Sequence, residues 1–118
     1  MYKQAMKKWL ESMDWDLWAT LTFRYNASKP AVRRAVERYM IKLRPTSSKL
    51  DYIVVVEDTG TNNHVHALIR GTSQASNAQA LWNSTNGLAK VRRYSRGGGA
   101  AGYVCKHLHL PTTDWWIG

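Results

Sequence analysis

Cysteine is almost absent: Cys105 stands alone among 118 residues. A single thiol makes no internal disulfide and no cysteine-based zinc site, which fits a reducing cytosol. Acidic residues are also scarce, 8 against 17 lysines and arginines, for a formal charge of +9 and a pI near 10.0. That excess favours a polyanionic partner, nucleic acid before anionic membrane. No apolar run approaches the ~20 residues that a membrane span needs, so no membrane partner is expected. The opening stretch, Met1 to Leu10, is broken by Lys7 and Lys8 and does not read as a secretory signal. There is no internal repeat and no low-complexity tract. Nor is there a G-x-x-x-x-G-K-[ST] loop, so no ATPase is expected within the chain.

What is present is the balance of a folded chain, 44% apolar and 21% charged. The length is one domain's worth, 1-118, so no separate motor or substrate domain is expected. At this size about 65% of the unfolded surface is buried, enough for one two-layer core. A cytoplasmic location is expected.

Periodicity gives the order of elements. Met6, Trp9, Leu10 and Met13 sit at helical spacing in a short docking helix. From Leu17 to Phe23 the residues alternate, with Leu17, Ala19, Leu21 and Phe23 opposite Trp18, Thr20 and Thr22, as in a strand. Ser28 and Pro30 start a helix carrying Val32, Val36, Tyr39, Met40 and Leu43, and Pro45 ends it. Tyr52 to Glu57 reads as a central strand, and a polar turn leads into a second one from His64 to Arg70. A weaker helix follows from Ser73 to Asn83, then a strand from Leu88 to Tyr94. The run Gly97-Gly98-Gly99 opens a last helix from about Ala100 to Leu110. This order predicts an α+β, ferredoxin-like (split βαβ) fold. It has an antiparallel central sheet, flanking helices, and extra N- and C-terminal helices. Helical crossovers bring the first and third strands together at the sheet centre.

His64 and His66 flank Val65, and on a strand both imidazoles project from one face. Such a pair chelates a divalent metal when a third group closes the site. Glu57, on the other strand of the hairpin, is the natural carboxylate; Asp58 adjoins it, and His107 is a further alternative. Taken alone, His-x-His is a weak signal. On the last helix Tyr103, Lys106 and His107 share one face, with Ala101, Val104, Cys105 and Leu108 roughly opposite. A tyrosine exposed beside an ammonium is a candidate covalent nucleophile, although most helical tyrosines simply pack. Gly97 to Gly102 also fits G-x-G-x-x-G, but too little chain follows for the dinucleotide-binding unit, and a hinge is the simpler reading. Basic residues fall in two groups. Arg33, Arg34, Arg38, Lys42 and Arg44 on the first long helix read as a solvated face. Lys90, Arg92, Arg93 and Arg96 lead to Tyr103 and read as a phosphate track, beside which Trp18 and Tyr94 can stack bases.

Three of these motifs together resemble the HUH endonucleases, and among them the single-tyrosine rolling-circle replication initiators (Rep proteins). Thr20-Leu21-Thr22-Phe23 is similar to their T-L-T strand, His64-Val65-His66 to the His-hydrophobic-His signature, and Tyr103-Val104-Cys105-Lys106 to Y-x-x-K. The tyrosine lies downstream of the histidines, as in Rep proteins. The resemblance implies a site-specific endonuclease that nicks and joins single-stranded DNA at a replication origin or hairpin. Tyr103 would form a 5′-phosphotyrosine link, Lys106 would assist it, and His64, His66 and Glu57 would hold a divalent ion, Mn²⁺ or Mg²⁺. It also implies host polymerase and helicase functions as partners, a viral or plasmid source, and, with one tyrosine in the motif, a homodimer for a second turnover. Single-tyrosine transposases of the same class place a polar metal ligand four positions after the tyrosine, where His107 stands. From a different class, a non-catalytic RRM-like nucleic-acid-binding module has the same fold, but His64 and His66 stand where its stacking rings belong.

Overall fold

Strand periodicity sorts the side chains onto two faces of one sheet. The computed structural model describes residues 2–44, 49–58, 63–97, 99–106 and 113–118. The elements run α1 (Tyr2–Glu11), β1 (Leu17–Leu21), α2 (Lys29–Leu43), β2 (Asp51–Asp58), β3 (Asn63–Arg70), α3 (Ala75–Thr85), β4 (Ala89–Arg93), α4 (Ala100–Cys105) and β5 (Asp114–Ile117). The sheet order is β4-β1-β3-β2-β5, with every neighbouring pair antiparallel. This is an α+β fold with an open five-stranded antiparallel sheet, compatible with the ferredoxin-like pattern. The strands joined by helical crossovers are not neighbours: β3 lies between β1 and β2, and β1 between β3 and β4.

One face is apolar through its centre. Leu17, Ala19 and Leu21 of β1, Val54 and Val56 of β2, and Val65, Ala67 and Ile69 of β3 pack under α2 and α3. Ser28 caps α2, its Oγ accepting from the Ala31 N–H at 3.3 Å, and Pro30 sits in the first turn. The helix closes on Val32, Val36, Tyr39 and Met40, all buried. Trp82 of α3 is fully enclosed; its indole N–H donates to Thr22 O at 2.9 Å, and Phe23 and Tyr39 meet its ring edge-on, each with centroids 5.2 Å away. β1 ends at Leu21 rather than Phe23, because the Arg24 N–H turns to Asn86 O and Phe23 drops into this core.

The opposite face carries a smaller layer. Leu10 of α1, Trp15, Ile53, Val55, Leu68 and the α4 residues Ala100, Ala101, Val104 and Cys105 form its core. The Trp15 indole N–H donates to Leu10 O at 2.8 Å and ties α1 to the start of β1. Met6 and Met13 are partly buried beside Leu10, whereas Trp9 lies at the edge of that stripe and is exposed. The helix α4 is followed by a strand, so it does not end the fold. β5 adds to the β2 edge, with Trp116 buried on the α2 side under the Arg33 guanidinium, 4.5 Å from its ring centre. The expected reach of the last helix to Leu110 lies outside the described residues. No helix among the described residues is long and apolar enough to cross a membrane.

Candidate functional site

The chemistry-bearing side chains belong to the face that α1 and α4 only partly cover. Register fixes their rows. Lys90, Thr20, His66 and Val55 lie directly across from one another on β4, β1, β3 and β2. One row toward the hairpin, Glu57 lies opposite His64; one row the other way, Arg92 lies opposite Trp18 and Trp18 opposite Leu68. Directly opposed residues in an antiparallel pair sit about 5 Å apart at Cα, so these side chains are neighbours.

His66 is 3% exposed, and its Nε2 donates to Glu57 Oε2 at 3.1 Å. His64, two residues earlier on the same face, is half-buried. Above them stands Tyr103, 44% exposed at the surface of α4. Its ring meets His66 edge-to-face with centroids 4.9 Å apart and leans on Trp18 at 5.7 Å. The Lys106 ammonium lies 5.7 Å from the Tyr103 ring centre, and the Arg92 guanidinium 5.4 Å from that of Trp18. Arg92, Trp18, Tyr103 and Lys106 thus form a continuous run of cations and rings that ends at His66. Each such contact between cation and ring adds of order 0.5–1 kcal/mol at an exposed site.

α4 presents Tyr103 because its other face is apolar: Ala101, Val104 and Cys105 are buried, while Lys106 is exposed with Tyr103. Gly99, at φ 90°, starts the helix in the left-handed region, and the Tyr103 N–H returns to Gly99 O at 2.9 Å.

The other expected site residues divide between this patch and the rest of the surface. Arg93 lies opposite Leu17, so it belongs to the α2/α3 face; β-strand alternation separates it from Lys90 and Arg92. Arg96 lies beyond β4 and pairs on the surface with Asp14 at 2.8 Å. Tyr94 is partly buried and packs against the α1/α4 core. Its burial pushes the phenol pKa up, with Glu11 adding to the shift and Arg96 opposing it. Thr22 turns its hydroxyl to Leu88 O at 3.2 Å, while Thr20 stays half-buried between His66 and Lys90. Trp18 is a partly covered floor beneath Tyr103. Sequence reasoning missed Trp15; a lone aromatic between a helix and a strand gave no periodic signal.

For a divalent ion, two imidazole nitrogens and a carboxylate oxygen are a suitable donor set, closer to the preferences of Mn²⁺ than to the all-oxygen preference of Mg²⁺. The 3.1 Å contact already brings two of the three donor groups together. Among the described residues no three His, Cys, Asp or Glu side chains converge closely enough to form a complete site. His107 and the side chain of Asp58 lie outside the described residues. No protein-family model, no curated protein and no solved structure matches this chain.

Proposed function

We propose that the chain is a Rep-type endonuclease that nicks and rejoins single-stranded DNA to initiate or terminate rolling-circle-type replication. The observation that carries the reading is the exposed Tyr103 ring 4.9 Å from His66, whose imidazole is held by Glu57. A candidate nucleophile and the His66–Glu57 pair meet at one surface patch, with His64 on the same strand face, and the exposed cations beside it are Lys90, Arg92 and Lys106.

In this reading Tyr103 Oη attacks the scissile phosphorus and loses its proton as the bond forms. The bond from phosphorus to the 3′ oxygen breaks, and that oxygen takes up a proton and leaves as a free 3′-hydroxyl. A 5′-phosphotyrosine remains; attack by a 3′-hydroxyl reverses the step and rejoins the strand. Lys106, beside the Tyr103 ring, offsets charge that builds on the phosphate. Lys90 and Arg92 hold the flanking backbone, and Trp18 supports the nucleophile from below. His64, His66 and Glu57 would hold a divalent ion, which would supply Lewis-acid polarisation of the phosphate. The free 3′-hydroxyl serves a host polymerase, with unwinding by a host helicase in the cytoplasm, and a second subunit or water completes a second turnover. An RRM-like binder uses an open sheet face for stacking; the cover of α1 and α4 counts against that use here.

The test incubates wild type and Tyr103→Phe with randomised and hairpin-rich single-stranded DNA pools and Mn²⁺, followed by a denaturing gel. The expected result is a detergent-resistant adduct in wild type alone, mapping to Tyr103. An adduct in Tyr103→Phe, or none in wild type from either pool, overturns the reading.

A further inference from the structure

The side of α2 that faces away from the sheet carries Arg34, Arg38 and Lys42, all exposed, and Arg44 follows at its C-cap. Four-residue steps keep these groups on one slowly turning stripe, about 12 Å from first to third. The helix has one acid, Glu37, and Arg33 takes it at 3.2 Å. Among the described residues Arg34, Arg38, Lys42 and Arg44 have no acidic partner. Arg38 and Lys42 also line a cleft between α2 and α3 with Thr85 and Asn86, which are hydrogen-bonding groups. Arg24 stands at the same end of α3, its guanidinium donating to Asn83 O. Like charges four apart on a helix repel one another. A polyanion laid along the stripe removes that repulsion.

The stripe lies on the other side of the sheet from Tyr103, because α2 packs on the apolar face and α4 on the opposite one. A strand lying over His66 therefore does not reach it without passing round a sheet edge. Its chemistry also differs from that of the first site. Proteins that hold single strands offer rings for the bases; here the exposed apolar neighbour is Ile41, and no aromatic ring lies on the stripe. Contacts to phosphates alone suit a double helix, whose bases are already stacked. A membrane-surface helix sinks its apolar face into lipid, but Val32, Val36, Tyr39 and Met40 are already spent in the core.

We infer that the outer face of α2 is a second nucleic-acid surface, one that grips the phosphate backbone of a double-helical stem. It rests on the reading of the chain as a DNA-binding protein, and not on cleavage.

The experiment measures binding of wild type and an Arg34→Ala, Arg38→Ala, Lys42→Ala variant by fluorescence anisotropy. The probes are a blunt DNA hairpin and an unstructured single strand, each titrated from 50 to 200 mM salt. Loss of three phosphate contacts lowers the slope of log affinity against log salt on the hairpin by about 2.7. Over that salt range the fall in hairpin affinity shrinks about 40-fold. The slope on the single strand stays at its wild-type value. Equal loss on both probes, no loss on the hairpin, or tighter wild-type binding to phosphatidylserine vesicles than to the hairpin overturns the inference. Arg38→Glu alone repeats the selective loss with the smallest change to the helix, should the triple variant fold poorly. A protein that never forms the tyrosyl adduct but shows the selective loss refutes the nuclease reading and keeps this surface. An adduct with equal losses does the reverse.

Discussion

Leu10→Ala removes the side chain against which the Tyr103 helix is packed. α4 has six residues, too few to persist without tertiary support. Its buried residues share one cluster with Leu10, Trp15, Ile53, Val55 and Leu68. Leu10 is fully enclosed, and its α4 neighbours include Ala100 and Ala101, too short to reach into the space it leaves. The loss should therefore fall within the range seen for enclosed leucines, about 3–4 kcal/mol. With an unfolding entropy of roughly 0.25 kcal/mol/K for a chain of this size, the Tm falls about 12–16 °C. Cys105 reports where that loss lands, because it is the chain's single thiol and is fully buried in α4. If α1 and α4 open together as a unit less stable than the whole, that loss accelerates thiol labelling under native conditions roughly 150- to 900-fold. Met40→Ala is the control: it removes a buried side chain from the α2 layer at a comparable cost. It should lower the Tm while leaving Cys105 labelling near wild type. Equal labelling of the two variants at equal loss of stability would show that α1 does not hold α4.

Three other perturbations read other parts of the fold. A Cβ at Gly87 runs into the Thr22 carbonyl oxygen and comes within 2.8 Å of Phe23 Cα, both backbone atoms. Gly87→Ala should cost about 3 kcal/mol or more in a urea melt, and a loss below about 1 kcal/mol would contradict the close approach. Burial raises the Tyr39 pKa well above its ordinary value, and burial also raises those of Tyr52 and Tyr94. Above pH about 10 the unfolded chain sheds phenolic protons that the folded chain keeps, so stability falls as pH rises, by up to about 1.4 kcal/mol per pH unit for Tyr39. Tyr39→Phe should flatten that alkaline limb, at the cost of the hydrogen bond its hydroxyl donates to Ala78 O at 2.8 Å; an unchanged limb assigns it to other groups. The outer edge of β4 is closed by α3, where Gln79 Oε1 accepts from the Val91 N–H and Asn83 Oδ1 from the Ala89 N–H. Gln79→Ala should speed hydrogen exchange at Val91 at least tenfold while leaving Ala67, in the centre of the sheet, unchanged.

Local pattern carried the reading where a period was long enough to act on. The alternation from Leu17, the run Ile53 to Val56 and the cap at Ser28 all lead to the observed elements, since each rests on interactions within a few residues. His64 and His66 share a face for the same reason. Arg93 was within reach of the same rule, because its odd position separates it from Lys90 and Arg92, yet its charge grouped it with them. β5 was out of reach. Four residues, Asp114 to Ile117, carry too short a pattern to distinguish a strand from a tail, and what makes them a strand is the edge of β2 beside them. Nor did the sequence reveal that Tyr103 stands over Trp18, for that depends on how α4 lies across the sheet.

The register that gathers the site is set by residues outside it. Leu17, Ala19 and Leu21 are completely buried on the α2/α3 face, so moving β1 by one residue would expose all three and drive Trp18 and Thr20 into the core. The same holds for β3, where Val65, Ala67 and Ile69 lock His64 and His66 onto the other face. Imidazoles and threonine are thus fixed by the larger core, through strands that cannot slip. Tyr103 is placed differently. It rides on a six-residue helix entered through Gly97 and Gly99 at φ 81° and 90°, and braced by α1 and the sheet through the smaller cluster. Substitutions in that cluster therefore shift Tyr103 relative to His66 while His66 stays where it is. Substitutions under α2 weaken the whole fold and leave that distance alone until it melts.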